Sequence, residues 1–413
     1  MSEPLSPDHF SLEFAIRPNI LDFPRYSTPT SDHVKARPPL CLDANENAAG
    51  SCLVPTPRNE SHNLDMPVHD SLQGPLNLQN LHRYPSAAHA TLRERIAQWR
   101  ELDSMHQVGL GSGASDIIDV LVRMTCAPGQ DKIMVLPPTF ELYKVCATLH
   151  GAGVQECVQE LTPEGQFCLP MQQICTALSE DNRIKVIFIA SPGNPTGSLV
   201  PLDQLQQILE LEAFKGLVVV DEAYIDFASA QKQASALQLL PRYNNLIVVQ
   251  SLSKSHGLAG IRVGMAMAHP TIIQLLLKVQ MPYKLSSVVL ELAERALSKK
   301  GRARARVLQS QIMVNREYLV ELLSEPFLIR NGIGHPIGGH AANFVLVPIL
   351  RHGKPDNERA KRLAERLRDG HGVAIRFVGG QALCDGCLRI TVGTTHEIQV
   401  FRSALRVALL EYV

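Results

Sequence analysis

The sequence lacks an excess of either charge, with Lys plus Arg and Asp plus Glu each numbering 40 in 413 residues. That balance leaves no electrostatic footprint for nucleic acid or an anionic membrane surface, so small molecules or further copies of the chain are the expected partners. Long apolar runs are also missing. Leu217-Val218-Val219-Val220, and Ile272 to Val279 broken by Gln274 and Lys278, fall far short of the ~18 residues a membrane span needs. Met1-Ser2-Glu3-Pro4 opens without a basic segment or an apolar one behind it, so no secretory signal is read and a cytoplasmic location is expected. The nine cysteines are odd in number and irregularly spaced, which suits free thiols better than a disulfide framework. Cys384-Asp385-Gly386-Cys387 is the one CxxC. It has no second CxxC or histidine pair at matching spacing, so no metal is expected.

What is present is an alternation. Short apolar, β-branched runs, Ile133 to Leu136, Val186 to Ile189, Leu217 to Val220 and Leu246 to Val249, are separated by helical patterns, which predicts an α/β fold with a mainly parallel, mixed sheet. The length suits two to three domains at about 150 residues each. Residues 1–83 are rich in Pro, Ser, Asn and Asp and contain a weakly patterned stretch, Gly50 to Gln79, that reads as a long loop or insertion. Residues 84–286 form a large domain in this reading. Residues 287–413, with charged helices and three further strand-like runs, form a smaller α/β domain.

Each run of the large domain ends in a polar cluster: Pro137-Pro138-Thr139, Ser191 to Pro195, Asp221-Glu222-Ala223-Tyr224 and Ser251 to Lys254. Ligands of open α/β sheets sit outside the carboxyl ends of the strands, so these clusters are expected to meet in one crevice. Lys254, next to Ser251 and Ser253 and eight residues before Arg262, suits a lysine that holds an aldehyde beside a dianionic phosphate. That combination points to pyridoxal 5'-phosphate. This cofactor needs an acid on its ring nitrogen, for which Asp221 is placed at the end of an apolar strand, although a helix cap is the plainer use of such a residue. Asn194 and Tyr224 are candidates for the ring oxygen, and Phe140 for stacking on the ring.

Gly109 to Asp116 opens a helix whose N–H groups, at Ala114 and Ser115, suit a phosphate. The same string satisfies G-x-G-x-x-A, but the next strand ends in Pro137-Pro138 and not in the acid a dinucleotide site requires. Arg376 and Arg389 lie inside apolar strand-like segments and want an anion, whether a ligand or a structural carboxylate.

These segments, with Leu42-Asp43-Ala44-Asn45-Glu46-Asn47, Arg83-Tyr84-Pro85, Asn194-Pro195-Thr196-Gly197 and Leu388 to Gly393, resemble the fold-type-I aminotransferases, and among them the histidinol-phosphate aminotransferases. The match runs from Arg17-Pro18-Asn19-Ile20 to near the C-terminus, with Gly50 to Gln79 outside it. The resemblance implies that Lys254 carries the cofactor and that Asp221 pairs with its ring nitrogen. Asn194 and Tyr224 would hold the ring oxygen. Ala114, Ser115, Ser251, Ser253 and Arg262 would hold the phosphate, joined by Tyr84 from the second subunit of a homodimer.

The same likeness assigns Arg389, Arg376, Tyr26 and Asn343 to the substrate, and packs residues 1–83 against the small domain and the dimer partner. Departures are Ser115 where the family usually has Asp, Phe140 for Tyr, Gly193 for Asn, and His256 for an aromatic residue. The implied reaction is transamination between histidinol phosphate and 2-oxoglutarate. An aromatic amino acid aminotransferase, a threonine-phosphate decarboxylase on the same scaffold, or a non-catalytic cofactor-binding regulator remain alternatives.

Overall fold

The computed structural model describes Ile20 and residues 40–54, 75–76, 81–85, 89–229 and 231–410. Its strands are β1 (Leu40–Leu42), β2 (Val108–Gly111), β3 (Lys132–Val135), β4 (Gly153–Glu156), β5 (Ile184–Ala190), β6 (Leu217–Asp221), β7 (Leu246–Ser251), β8 (Gly264–Ala268), β9 (Phe344–Pro348), β10 (Val373–Phe377) and β11 (Cys387–Thr391), besides two short hairpins. Seven of them form one sheet in the order β2-β8-β7-β6-β5-β3-β4. Only β8 runs antiparallel to its neighbours.

Helices cover both faces of this sheet, which is why its strands are apolar end to end and not alternating. The two-residue period still sorts the side chains. Ile187, Ile189, Val218, Val220, Leu246 and Val248 join one core. Val186, Phe188, Val219, Ile247 and Val249 join another, with the helices Ala114–Thr125 and Leu142–His150.

A second sheet, β1-β10-β11-β9, has its own core of Phe344, Val345, Ile375, Leu388 and Ile390 against Leu363, Leu367, Phe401 and Leu405. Strand β1 enters it parallel to β10, so a strand from the N-terminal region is built into the C-terminal sheet. The 25-residue helix Lys299–Leu323 lies between the two assemblies in sequence. Its basic start is partly solvated, with Lys299 and Lys300 exposed, but Arg304 turns inward and is buried.

Of the expected Gly50 to Gln79 insertion, residues 55–74 and 77–79 lie outside the described residues, and its first residues form no helix or strand. Cys52 is fully buried and Leu53 nearly so, both in the core of the seven-stranded sheet. Cys52 N–H also donates to the His256 carbonyl at 3.0 Å. All nine cysteines are free thiols. No helix among the described residues is long and apolar enough to cross a membrane.

Candidate active site

Strand parity decides which polar residues can meet. Asp221 follows Val219 by two positions and Ser251 follows Val249 by two, so both point to the face covered by the Ala114–Thr125 helix. There the Tyr143 hydroxyl donates to Asp221 Oδ2 at 2.7 Å, and the Ala223 N–H donates to Oδ1 at 3.1 Å. Burial pushes the Asp221 carboxyl above its ordinary range, opposed by those two donors. A cationic ring nitrogen would relieve that cost. Tyr143 was not foreseen from the sequence. It stands three residues after Phe140, its ring edge-on to Phe140 at 5.7 Å and stacked on Phe188 at 5.0 Å. That three-residue spacing, across the start of the Leu142–His150 helix, was the available signal.

Beside Asp221 the backbone forms an anion cradle. Gly113 caps the Ala114–Thr125 helix with φ 82°, leaving the first-turn N–H groups of Ala114 and Ser115 outside the helix's own hydrogen bonding. A Cβ on Gly113 would lie 2.3 Å from Arg262 Nη2, and one on Gly264 would lie 2.3 Å from the Gly113 carbonyl carbon. Both glycines are therefore required for the close approach. Arg262, itself left-handed at φ 57°, reaches Ser253 Oγ at 3.5 Å and the Ala259 carbonyl at 3.2 Å. Ser251 and Ser253 are buried next to it. Helix dipole, hydroxyls and guanidinium together fit a dianionic phosphate.

Lys254 lies at the crossing of the two assemblies. Its Nζ donates to the Ala44 carbonyl at 2.8 Å, and its own carbonyl accepts from Asn47 Nδ2 at 2.9 Å. Desolvation, with Arg389 and Arg262 nearby and only Glu46 opposing, lowers its pKa from 10.5 to about 8. The segment Asp43 to Leu53 is thus a strap over the lysine loop. Asn45, left-handed at φ 51°, donates from Nδ2 to the Tyr224 hydroxyl at 3.0 Å and pairs with Thr391 of β11. Asn45 is a second residue that the sequence reading did not assign, although it lies inside a motif quoted for the resemblance.

Arg389 projects from β11 toward this crossing. It donates to Asn194 Oδ1 at 2.6 Å and to the Asp43 carbonyl at 2.7 Å, with the guanidinium 5.5 Å from the Phe344 ring centre. Arg376 of β10 is in register with Arg389, so the two cations share one face of the small sheet. Asn343 is fully buried, and its amide donates to the Asn45 and Glu46 carbonyls at 3.0 and 3.3 Å, while its Oδ1 has no hydrogen-bond partner among the described residues. Tyr84 is 79% exposed and stacked on Tyr283 at 4.4 Å. Tyr26 lies outside the described residues.

Comparison with known proteins matches the family model for aminotransferases of class I and II over residues 45–405. The histidinol-phosphate aminotransferase of Schizosaccharomyces pombe is 36% identical over 98% of this chain and 99% of its own length. That of Saccharomyces cerevisiae is 34% identical over 96% and 98%. In three dimensions the histidinol-phosphate aminotransferase of Sinorhizobium meliloti, solved in complex with pyridoxal-5'-phosphate, superposes with a TM-score of 0.76 at 20% identity, covering 98% of this chain and 100% of its own. The chain belongs to the class I and II aminotransferases, in their histidinol-phosphate aminotransferase branch.

Proposed function

We infer that the chain catalyses pyridoxal-phosphate-dependent transamination between histidinol phosphate and 2-oxoglutarate, a step of L-histidine biosynthesis that runs from imidazole acetol phosphate and glutamate in the biosynthetic direction. One observation carries the reading: a desolvated lysine, a buried carboxylate and a glycine-framed anion cradle converge in a chain that matches two yeast histidinol-phosphate aminotransferases nearly end to end. Bound there, the cofactor supplies an aldehyde that exchanges amines and a ring that takes up electrons from the substrate carbon.

In this reading Asp221 holds the proton of the ring nitrogen, and Tyr143 and the Ala223 N–H fix the carboxylate that does so. Tyr224 and Asn194 hold the ring oxygen. Ala114, Ser115, Ser251, Ser253 and Arg262 hold the phosphate, and Phe140 faces the ring. A pKa of about 8 leaves Lys254 a useful neutral fraction near neutral pH, as a nucleophile toward the aldehyde and then as the base that carries a proton between the two reacting carbons. Arg389 with Arg376 grips the group the two substrates share in kind, a phosphate in one and a carboxylate in the other.

A homodimer follows from the same reading. The exposed Tyr84–Tyr283 stack and the neighbouring Met281, 72% exposed, support a surface from which Tyr84 completes the partner's cradle. The division at residues 84 and 287 is supported by where the two sheets fall in sequence, with residues 1–83 contributing β1 to the smaller one. Nine free thiols favour the cytoplasm. The test is turnover of the purified holoprotein with histidinol phosphate, phenylalanine and threonine phosphate, each with 2-oxoglutarate. Glutamate formed from histidinol phosphate alone is expected. Preference for phenylalanine, or carbon dioxide released from threonine phosphate, would replace this reading with one of the alternatives, and no turnover of any would favour a binding protein.

A further inference from the structure

Behind Lys254 lies a second buried cluster that the reaction does not use. Asp226 sits two residues after Tyr224, in the short turn Ile225–Phe227, and Ser255 and His256 directly follow Lys254. Arg100 Nη2 reaches both Asp226 oxygens, at 3.0 and 3.1 Å, with both side chains under a tenth exposed. Gln231 donates to Asp226 Oδ1 at 2.7 Å. Ser255 Oγ lies 2.9 Å from His256 Nδ1, and both residues, with Arg100, favour the charged form of the Asp226 carboxyl against its burial. The single tryptophan, Trp99, closes the cluster, with Arg100 3.5 Å from its ring centre and the His256 ring edge-on at 5.0 Å.

We propose that Asp226 is a positioning residue: with Arg100, Ser255 and His256 it clamps the turn that presents Tyr224 to the turn that presents Lys254, fixing the separation of hydroxyl and amine across the bound cofactor. The proposal rests on the assignment of Lys254 and Tyr224 to that cofactor. Its physical basis is that two loops leaving neighbouring strands, β6 and β7, have no backbone ladder beyond their strand ends to hold them together. Arg100 supplies that tie, bonding both Asp226 oxygens on one side and stacking on Trp99, which meets the His256 ring on the other, and burial makes each contact costly to lose. Charge inside the clamp is settled by Arg100 against Asp226. His256 adds none near neutral pH, because burial, with Arg100 acting in the same sense and Asp226 opposing, lowers it to about 4. The groups acting on Lys254 itself are Glu46, Arg262 and Arg389, so the clamp works through placement and not through direct charge. Backbone contacts back it from the strap and from the long helix: Cys52 N–H on the His256 carbonyl and Gln309 on the Ser255 carbonyl at 3.2 Å.

The test compares wild-type, Asp226→Asn, Asp226→Glu and Ser255→Ala holoproteins by three readings: Trp99 emission, the pH midpoint of the cofactor's visible absorbance, and kcat against KM. A hydroxyl donated to the ring oxygen favours loss of the proton on the lysine-linked nitrogen, so loosening Tyr224 raises the midpoint. Asp226→Asn is expected to shift Trp99 emission, raise the midpoint by about half a pH unit, and lower kcat about fivefold with KM unchanged. Ser255→Ala should move in the same direction by less, and Asp226→Glu should restore most of both values. Should Asp226→Asn fail to fold, Ser255→Ala decides alone. Shifted Trp99 emission or a lowered Tm with unchanged midpoint and kcat would reduce the cluster to a structural plug and overturn the proposal. A wild type without the visible band would remove the cofactor reading and the clamp together.

Discussion

The two sheets deliver functional side chains in different ways. The seven-stranded sheet offers its chemistry at strand ends, where β6 gives Asp221 and Tyr224, β7 gives Ser251 and leads to Lys254, and the turn after β5 gives Asn194. The four-stranded sheet offers Arg376 and Arg389 from inside its strands, paired in register across one face. Strand ends can be re-aimed by the loops that follow, which suits groups that must surround a cofactor from several sides. Strand interiors hold a side chain stiffly, which suits a cation that must meet an anion at a fixed distance. Between them runs the Asp43 to Leu53 strap, touching Lys254 through Ala44 and Asn47 and β11 through Asn45 and Thr391. In the proposed reading, chemistry and substrate grip fall to separate assemblies joined by one segment.

The largest expected effect breaks the strand-end half. Lys254→Ala should lower turnover about 10³-fold or more and abolish the visible band of the holoprotein, measured by steady-state assay and absorbance. Near-wild-type turnover would refute the role. In the wild type, cofactor uptake by the cofactor-free protein should accelerate as pH rises through about 8, since the neutral amine is the reactive form.

Next is the strand-interior half. Arg389→Leu removes the guanidinium proposed to meet the substrate anion, so kcat/KM for both substrates should fall about 100-fold. Cofactor affinity should hardly change, and a loss of cofactor instead would erase the division of labour drawn above. A finer cut is Tyr143→Phe, which deletes one hydrogen bond to Asp221 and should lower kcat about fivefold with KM unchanged.

The smallest effect concerns Glu222, buried beside Asp221 but facing away from the crevice. It accepts from Ser235, Gln250 and the Ala236 N–H, yet burial raises its pKa from 4.5 to about 7. The folded state therefore holds this proton to higher pH than the unfolded chain, and stability contributed by the protonated form is lost as pH rises from about 4.5 to about 7. Glu222→Gln should flatten that part of a Tm profile without moving activity. An unchanged slope would mean the carboxyl titrates normally.

Much of the first region was legible in the sequence, and for a physical reason. Apolar runs buried on both faces are short and β-branched, and the first polar residue after each marks the crevice, which is how Asp221 and Lys254 could be read directly. Tyr143 and Asn45 were not legible, because their roles depend on which helix and strap the fold lays against Asp221 and Tyr224. Asn343 was read for its type, but its hydrogen bonds to the strap were not legible, since they depend on where the fold lays Asn45 and Glu46. The start of the Gly50 to Gln79 stretch reads as loop from its polar, small composition, and the burial of Cys52 and Leu53 within it was not legible, because it depends on how the neighbouring Gly50 packs against Gly257. A Cβ at that glycine would strike the Gly50 carbonyl at 1.9 Å. Gly257 is also left-handed, at φ 63°, so the strap and the lysine loop require each other.

The central claim is that one particular amine holds the cofactor at the meeting of the two assemblies. Borohydride reduction of the holoprotein followed by peptide mass mapping tests it directly. The pyridoxyl mass should fall on the peptide containing Lys254 and on no other lysine, and a modified lysine elsewhere, or an unmodified Lys254 in reduced and fully loaded protein, would contradict the account.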